Sequence, residues 1–260
     1  MSIRFQNVTK SFGLNRVLNN VSFEVKTGEI LFIIGKSGVG KSVTLKHIVG
    51  LLKPDSGSVS IDGTDVTKQS AEQLSEIRLK CGMVFQRPAL LDSLTVFENI
   101  AFGLKTVQYA VKAGKELEPK ELERIVTEKI RLVNLGHELP AILDKKPPEL
   151  SFGMQKRVSL ARTLAPHPSY LLFDEPTTGL DPITTNAIND LILDLSRKLK
   201  VTSIVVSHDM SCALKIADRI LVLDKGAILA LEPASEIRHS RQPLIMEFLK
   251  EEFLKGGAPC

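Results

Sequence analysis

Ile30-Leu31-Phe32-Ile33-Ile34-Gly35-Lys36-Ser37-Gly38-Val39-Gly40-Lys41-Ser42 is the stretch that decides the fold. An unbroken apolar run of strand length, ending at a glycine, reads as a strand buried on both faces. Gly35 to Ser42 then matches G-x-x-x-x-G-K-[ST], and Val43, Leu45, Ile48, Val49, Leu51 and Leu52 follow at helical spacing. The order is strand, loop, helix. Such a loop suits phosphate for physical reasons: its glycines let backbone N–H groups curl around phosphate oxygens, and the helix start adds positive potential. Lys41 is placed to reach β- and γ-phosphates, and Ser42 to ligate magnesium.

Upstream, Ile3, Phe5, Val8 and then Val21, Phe23, Val25 alternate with polar positions around Phe12-Gly13-Leu14-Asn15, the pattern of an antiparallel hairpin or meander. Downstream, Pro54 to Gly57 reads as a turn, and Ser58 to Asp62 as a short strand closed by Asp62-Gly63. From about Val96 to Leu150 the chain turns helical and charge-rich, with Lys115, Glu116, Glu118, Lys120, Glu121, Glu123 and Arg124 ahead of Ile125, Ile130, Leu132 and Leu135. This predicts a separate helical lobe. Regular α/β alternation returns with strands at Tyr170 to Phe173, Thr202 to Val206 and Ile220 to Leu223, and helices at Thr184 to Leu199 and Cys212 to Ala217. Strands separated by helices imply right-handed crossovers and a mainly parallel sheet. Leu244, Ile245, Phe248, Leu249 and Phe253 give the C-terminal segment one apolar helical face, for packing on its own domain or reaching a partner.

Composition removes several classes. The 34 Lys and Arg stand against 30 Asp and Glu, spread along the chain, and neither a massed basic face nor a base-reading motif is present. Nucleic acid is therefore not an expected partner. No apolar run approaches the roughly 20 residues needed to span a bilayer, and Met1-Ser2-Ile3-Arg4-Phe5 lacks the regions of a secretory signal. A cytoplasmic location is expected. Cys81, Cys212 and Cys260 are odd in number, widely spaced and without a C-x-x-C pair, so they argue for neither a disulfide framework nor a metal site.

Leu171-Leu172-Phe173-Asp174-Glu175 is an apolar strand ending in two carboxylates, at the sheet edge where ligands of such folds bind. A helix cap plus a surface acid would explain the pair. A phosphate-bound magnesium explains it better beside the upstream loop, with Asp174 on the metal and Glu175 orienting or deprotonating the attacking water. Nucleotide kinases and GTPases share both features, so a third signal must choose. In Leu150-Ser151-Phe152-Gly153-Met154-Gln155, Ser151 is a good N-cap for the helical run Val158, Leu160, Ala161, Leu164, which stops before Pro166. It opens a second anion-binding helix start.

That segment resembles the L-S-G-G-Q signature of ABC ATPases, placed shortly before the acidic strand as in that family, and absent from kinases and GTPases. The resemblance covers nearly the whole chain. Phe12 falls at the adenine-stacking aromatic, Gln86 after Val84-Phe85 at the Q-loop, Thr178-Gly179-Leu180-Asp181 at the D-loop, and His208 in Val206-Ser207-His208-Asp209 at the switch histidine. Taken singly, Phe12 reads rather as a core aromatic, Gln86 as a loop amide and His208 as a satisfied histidine at a strand end; their common order and spacing carry the resemblance. It implies an ABC ATPase fold: α/β, a P-loop NTPase with a mainly parallel core sheet, an antiparallel β subdomain and an inserted α-helical lobe. The implied layout is one domain over 1–260, with core and β subdomain at 1–88 and 160–230, the lobe with the signature at 89–159, and a C-terminal extension at 231–260. ATP would lie against Phe12, Gly35, Lys36, Ser37, Gly38, Val39, Gly40, Lys41, Ser42, Val43, Gln86, Asp174 and Asp181. Magnesium would be held by Ser42, Gln86 and Asp174, and Lys41, Gln86, Glu175 and His208 would serve hydrolysis.

In that family the signature helix completes the site of a facing subunit. The resemblance therefore implies a homodimer across two ATP sites, with Ser151 and Gly153 contacting γ-phosphate in trans. Phe152 departs from the pattern by replacing the first signature glycine, which raises the question of crowding near the facing phosphate and of slowed turnover. Ala89 to Asn99 after the Q-loop and Met154-Gln155-Lys156-Arg157-Val158 are similar to the Mla/Mce phospholipid-transport ATPases. This implies lipid cargo, an integral-membrane permease docked near Arg87 to Phe102, an MCE-domain protein, a STAS-domain regulator, and a peripheral position on the cytoplasmic side of the inner membrane. The run Gly179-Leu180-Asp181-Pro182-Ile183-Thr184 is also similar to that of the Mla/Mce ATPases, but such sequences occur in importers for amino acids and metals too, which stay open as alternatives, as does an ABC ATPase that transports nothing.

Overall fold

The computed structural model describes residues 2–104 and 118–254, which fall into two compact units, residues 1–77 with 200–260 and residues 78–199. Lys115, Glu116, the Phe253 side chain and Cys260 lie outside the described residues.

In the first unit, β1 (Ile3–Phe12) and β2 (Asn15–Val25) form the expected antiparallel hairpin, with Ile3 opposite Val25 and Phe5 opposite Phe23. The Phe5 and Phe23 rings stack at 4.5 Å, which fastens the register on the buried face. β4 (Ser56–Ile61) pairs antiparallel with β1, and the short β5 (Thr64–Asp65) pairs with β4. Gly57 belongs to β4 and not to the turn read from the sequence. It sits opposite a register shift with a φ of +83°, where a Cβ would lie 2.4 Å from the Gln6 and Asn7 carbonyl oxygens. Glycine is required there by close backbone approach.

The same unit holds β3 (Ile30–Ile34), fully buried, parallel to both β8 (Thr202–Ser207) and β9 (Arg219–Asp224). The buried Glu29 carboxylate pairs with the Arg219 guanidinium, and Asp218 Oδ2 accepts from Ile30 N at 2.8 Å, so the starts of β3 and β9 are locked together. β10 (Ala227–Pro233) adds antiparallel to β9 through a turn at Lys225 and Gly226, both with positive φ. The sequence reading did not anticipate this strand. α1 (Lys41–Ile48) follows the glycine loop but stops before Leu51 and Leu52, because Gly50 turns left-handed with φ +62°. α7 (Met210–Ile216) follows β8, capped by Asp209. The short α8 (Ala234–Ile237) precedes the C-terminal α9 (Pro243–Leu254). α9 packs on α7 and buries Ile245 and Phe248, so the apolar face read from the sequence covers its own unit.

The chain enters the second unit within α2 (Ala71–Lys80). β6 (Cys81–Val84) and β7 (Tyr170–Asp174) pair in parallel. Around them lie α3 (Val96–Phe102), α4 (Pro119–Leu132), α5 (Phe152–Leu164) and α6 (Pro182–Leu199). α3 opens with a capping box, Thr95 Oγ1 accepting from Glu98 N and Glu98 Oε2 accepting from Thr95 N. α3 and α4 both pack on α5, whose Val158, Leu160, Ala161 and Leu164 are buried. No described helix is long and apolar enough to cross a membrane.

Candidate nucleotide site

The phosphate loop lies in the first unit between β3 and α1. Gly38 and Gly40 have φ of +81° and +106°, a conformation glycine takes freely and other residues do not. Gly40 is the N-cap of α1 and makes no side-chain cap, so the positive end of the helix faces the glycine loop. A Cβ on Gly35 would lie 2.6 Å from Leu223 O and 2.7 Å from Val39 Cγ2, and one on Gly40 2.7 Å from Val17 O. The loop is therefore pressed onto the sheet by its glycines, as a backbone cradle must be. Lys41 is buried, and its Nζ donates to the carbonyls of Gly35 at 2.7 Å and Lys36 at 3.2 Å, spanning the loop. Lys36 Nζ pairs with the Glu247 carboxylate of α9 at 2.8 and 3.0 Å. Ser37, Ser42 and Val43 complete the loop and the first turn.

Two further expected residues belong to this unit. Phe12 ends β1 and is 48% exposed, with Lys10 Nζ 5.5 Å from its ring centroid, so it is not a core aromatic. His208 is exposed directly after β8. The next residue, Asp209, caps α7 by accepting from Ser211 N, Ser211 Oγ and Cys212 N. Burial pushes the Asp209 carboxyl upward, but these bonds prevail and hold it below the usual carboxylate range.

The second unit carries the other candidates. Asp174 closes β7, and Glu175 follows with φ +50°, a left-handed backbone uncommon in residues other than glycine. Thr178 Oγ1 donates to Glu175 Oε2 at 3.2 Å. Ser151 Oγ accepts from Met154 N at 3.3 Å, the predicted cap at the predicted helix start. Gly153 abuts the first turn of α6, where a Cβ would lie 3.1 Å from Thr184 Cγ2. Asp181 caps that helix: Thr184 Oγ1 and the N–H groups of Ile183 and Thr184 donate to it, with the Thr184 bonds foremost in holding its carboxyl below the usual range. Gln86 is exposed after β6.

The sequence reading passed over two features of the signature region. Met154 occupies the fifth place of L-S-G-G-Q, while Gln155 Nε2 donates to the Pro147 and Leu150 carbonyls and fastens the approach to α5. Lys156 is buried, and its Nζ donates to Gln86 O at 2.9 Å and Pro176 O at 2.6 Å. Burial pulls this ammonium down to about 8 against the attraction of Glu175. Only a lysine inside an otherwise helical core face could have hinted at it in the sequence.

A buried strand running into a glycine loop that opens a helix defines the class: a phosphate-loop nucleotide-binding α/β protein. The chain matches the family model described as ABC transporter over residues 18–178, and it belongs to that family. It is 38% identical over 250 residues to the probable ribonucleotide transport ATP-binding protein mkl of Mycobacterium leprae, covering 96% of this chain and 69% of that protein. It is equally 38% identical to the methionine import ATP-binding protein MetN of Lactobacillus johnsonii, over 98% of this chain and 70% of that protein. The chain thus spans about two thirds of the length of such relatives. An ATP-binding cassette solved as a dimer in a post-hydrolysis state with ADP and Pi superposes with a TM-score of 0.79 at 33% identity, over 89% of this chain and 98% of that one. The protein is accordingly an ATP-binding, ATP-hydrolysing motor subunit of an ABC transporter.

Proposed function

We propose that the chain works as a homodimer that clasps two ATP molecules, docked peripherally on the cytoplasmic side of the inner membrane under a permease, and that its cargo is lipid. The observation that carries the nucleotide chemistry is the cradle itself: left-handed Gly38 and Gly40, an uncapped α1 start and Lys41 spanning the loop. In this reading the loop N–H groups and Lys41 bind the β- and γ-phosphates, and Phe12 stacks on adenine. Glu175 takes a proton from the attacking water, and His208 steadies the γ-phosphate. Ser151 and Gly153 reach the ATP of the facing subunit, beside Asp181 of the D-loop. The Ser42 hydroxyl, the Asp174 carboxylate and the Gln86 amide oxygen are hard oxygen donors of the kind magnesium takes beside phosphates. Bound there, magnesium supplies neutralisation of phosphate charge.

The lipid assignment is supported by the likeness of residues 89–99 and 154–158 to the Mla/Mce ATPases, which also brings an MCE-domain protein and a STAS-domain regulator as partners. The MetN relative at the same identity favours a second reading, amino-acid import. Glu175→Gln tests the hydrolytic reading: it should bind magnesium–ATP, stall hydrolysis and accumulate as a dimer by size-exclusion chromatography with light scattering. A strictly monomeric Glu175→Gln protein under saturating ATP would refute the clasp. Mass spectrometry of ligands co-isolated with the intact membrane complex separates lipid from amino-acid cargo.

A further inference from the structure

We propose that Lys156 is a positioning residue for hydrolysis, its buried ammonium tying the main chain at Gln86 and the main chain just past Glu175 to the signature helix. The proposal rests on the roles given above to Gln86 and Glu175. Lys156 lies on α5 one turn beyond Phe152, so the two side chains share a face of the helix. Only 4% of the residue remains exposed. An ammonium taken out of water must recover its lost hydration from acceptors. Here Nζ donates to Gln86 O at 2.9 Å and to Pro176 O at 2.6 Å, while the Phe152 ring covers it with the centroid 5.3 Å away.

The two acceptors are what give this arrangement consequence. Gln86 follows β6, and Pro176 follows Glu175 directly after β7. Glu175 itself holds a left-handed φ of +50°, a conformation that persists in such a residue only when its surroundings over-determine it. The bond from Lys156 to the Pro176 carbonyl is one of those restraints, and the Thr178 hydroxyl on Glu175 Oε2 is another. One charged group thereby sets the backbone on the far side of the catalytic carboxylate and at the Q-loop glutamine together. Displacements of about 1 Å at such groups cost turnover steeply while leaving binding of the rest of the substrate in place. The arrangement also gives Phe152 a part in this chain: its ring lids the ammonium, and its Cε1 would lie 3.6 Å from a Cβ on Gly179 of the D-loop.

Steady-state ATP hydrolysis by the purified full chain with magnesium tests this. Lys156→Met should lower kcat by about 10- to 100-fold, the loss typical of groups that orient catalytic ligands, with KM for ATP within about twofold of wild type. Lys156→Arg, which keeps a cation with several donors, should recover most of that loss, and Phe152→Leu, which keeps an apolar lid without the ring, should cost less than Lys156→Met. Unchanged kcat in Lys156→Met, a rise in KM alone, or an arginine variant no better than the methionine one would overturn the proposal. Should Lys156→Met fail to fold, as judged by a thermal melt, Lys156→Gln carries the same kcat criterion. Wild-type protein that neither binds nor hydrolyses ATP would remove the underlying reading. Active wild type beside an equally active Lys156→Met protein would remove the tie alone.

Discussion

Gly40→Ala and Gly38→Ala differ only in what surrounds the new methyl group, which makes them a matched pair. Both glycines have positive φ, so each alanine bears a backbone cost of roughly 1–2 kcal/mol. At Gly38 no atom lies within 4 Å of the added carbon, and that cost is the whole effect. At Gly40 the carbon would lie 2.7 Å from the Val17 carbonyl oxygen and 2.8 Å from Leu18 Cδ2. The oxygen belongs to backbone and cannot rotate aside, so overpacking adds about 1–3 kcal/mol. A loss of about 1 kcal/mol lowers Tm by about 2–4 °C in a chain of this size. Gly40→Ala should therefore melt several degrees below Gly38→Ala, and its ATP affinity, read by equilibrium dialysis, should fall furthest because the first turn of α1 must shift. Scanning calorimetry on the two variants decides the matter. Equal melting temperatures, or a Gly40→Ala protein that binds ATP like wild type, would refute the claim that the loop is seated by contact with β2.

Ser151→Ala should cost about 1 kcal/mol through loss of the α5 cap, whereas Ser151→Gly should cost only a few tenths. If Ser151 also contacts γ-phosphate, both variants should lose ATP turnover alike, and retained turnover in Ser151→Gly would confine the residue to capping. His47 predicts an acid-sensitive fold. It is 1% exposed, its Nδ1 faces Val43 O at 2.7 Å, and its Nε2 has no hydrogen-bond partner among the described residues. Burial, aided by nearby Lys10 against the Val43 bond, holds its pKa below the ordinary 6.5. The unfolded chain then binds a proton that the folded one excludes, so the neutral-pH stability is full above that value and is lost as pH falls through it. Wild-type Tm should fall as pH drops below about 6.5, and less so in His47→Gln, with the exposed His167, whose pKa partial burial also lowers, a background common to both. Parallel Tm curves for the two proteins would dismiss His47 as the cause.

Much of the fold was legible because it is local. The hairpin around Gly13 and Leu14, the strand ending at Ile34, the cap at Ser151 and the stop of α5 at Leu164 follow from period-2 alternation, an unbroken apolar run, a hydroxyl before a helical pattern and a proline after it. Failures occurred where a distant segment decided the outcome. Gly57 reads as a turn glycine until β1 is laid against it, and Leu51 and Leu52 read as helix until Gly50 turns left-handed against Leu74. β10 has no alternation of its own and is a strand because β9 offers it an edge.

The phosphate loop, the acidic strand end and the signature helix could be read before any fold was known, because a run of adjacent residues carries each of those signals. Tertiary structure alone decided that Phe12 is presented at a surface, that α9 closes on α7, and that Lys156 reaches carbonyls 70 and 20 residues away in the chain. The reason is that burial of a charge and the identity of its acceptors depend on which backbone folds over it, and no local pattern encodes that neighbour.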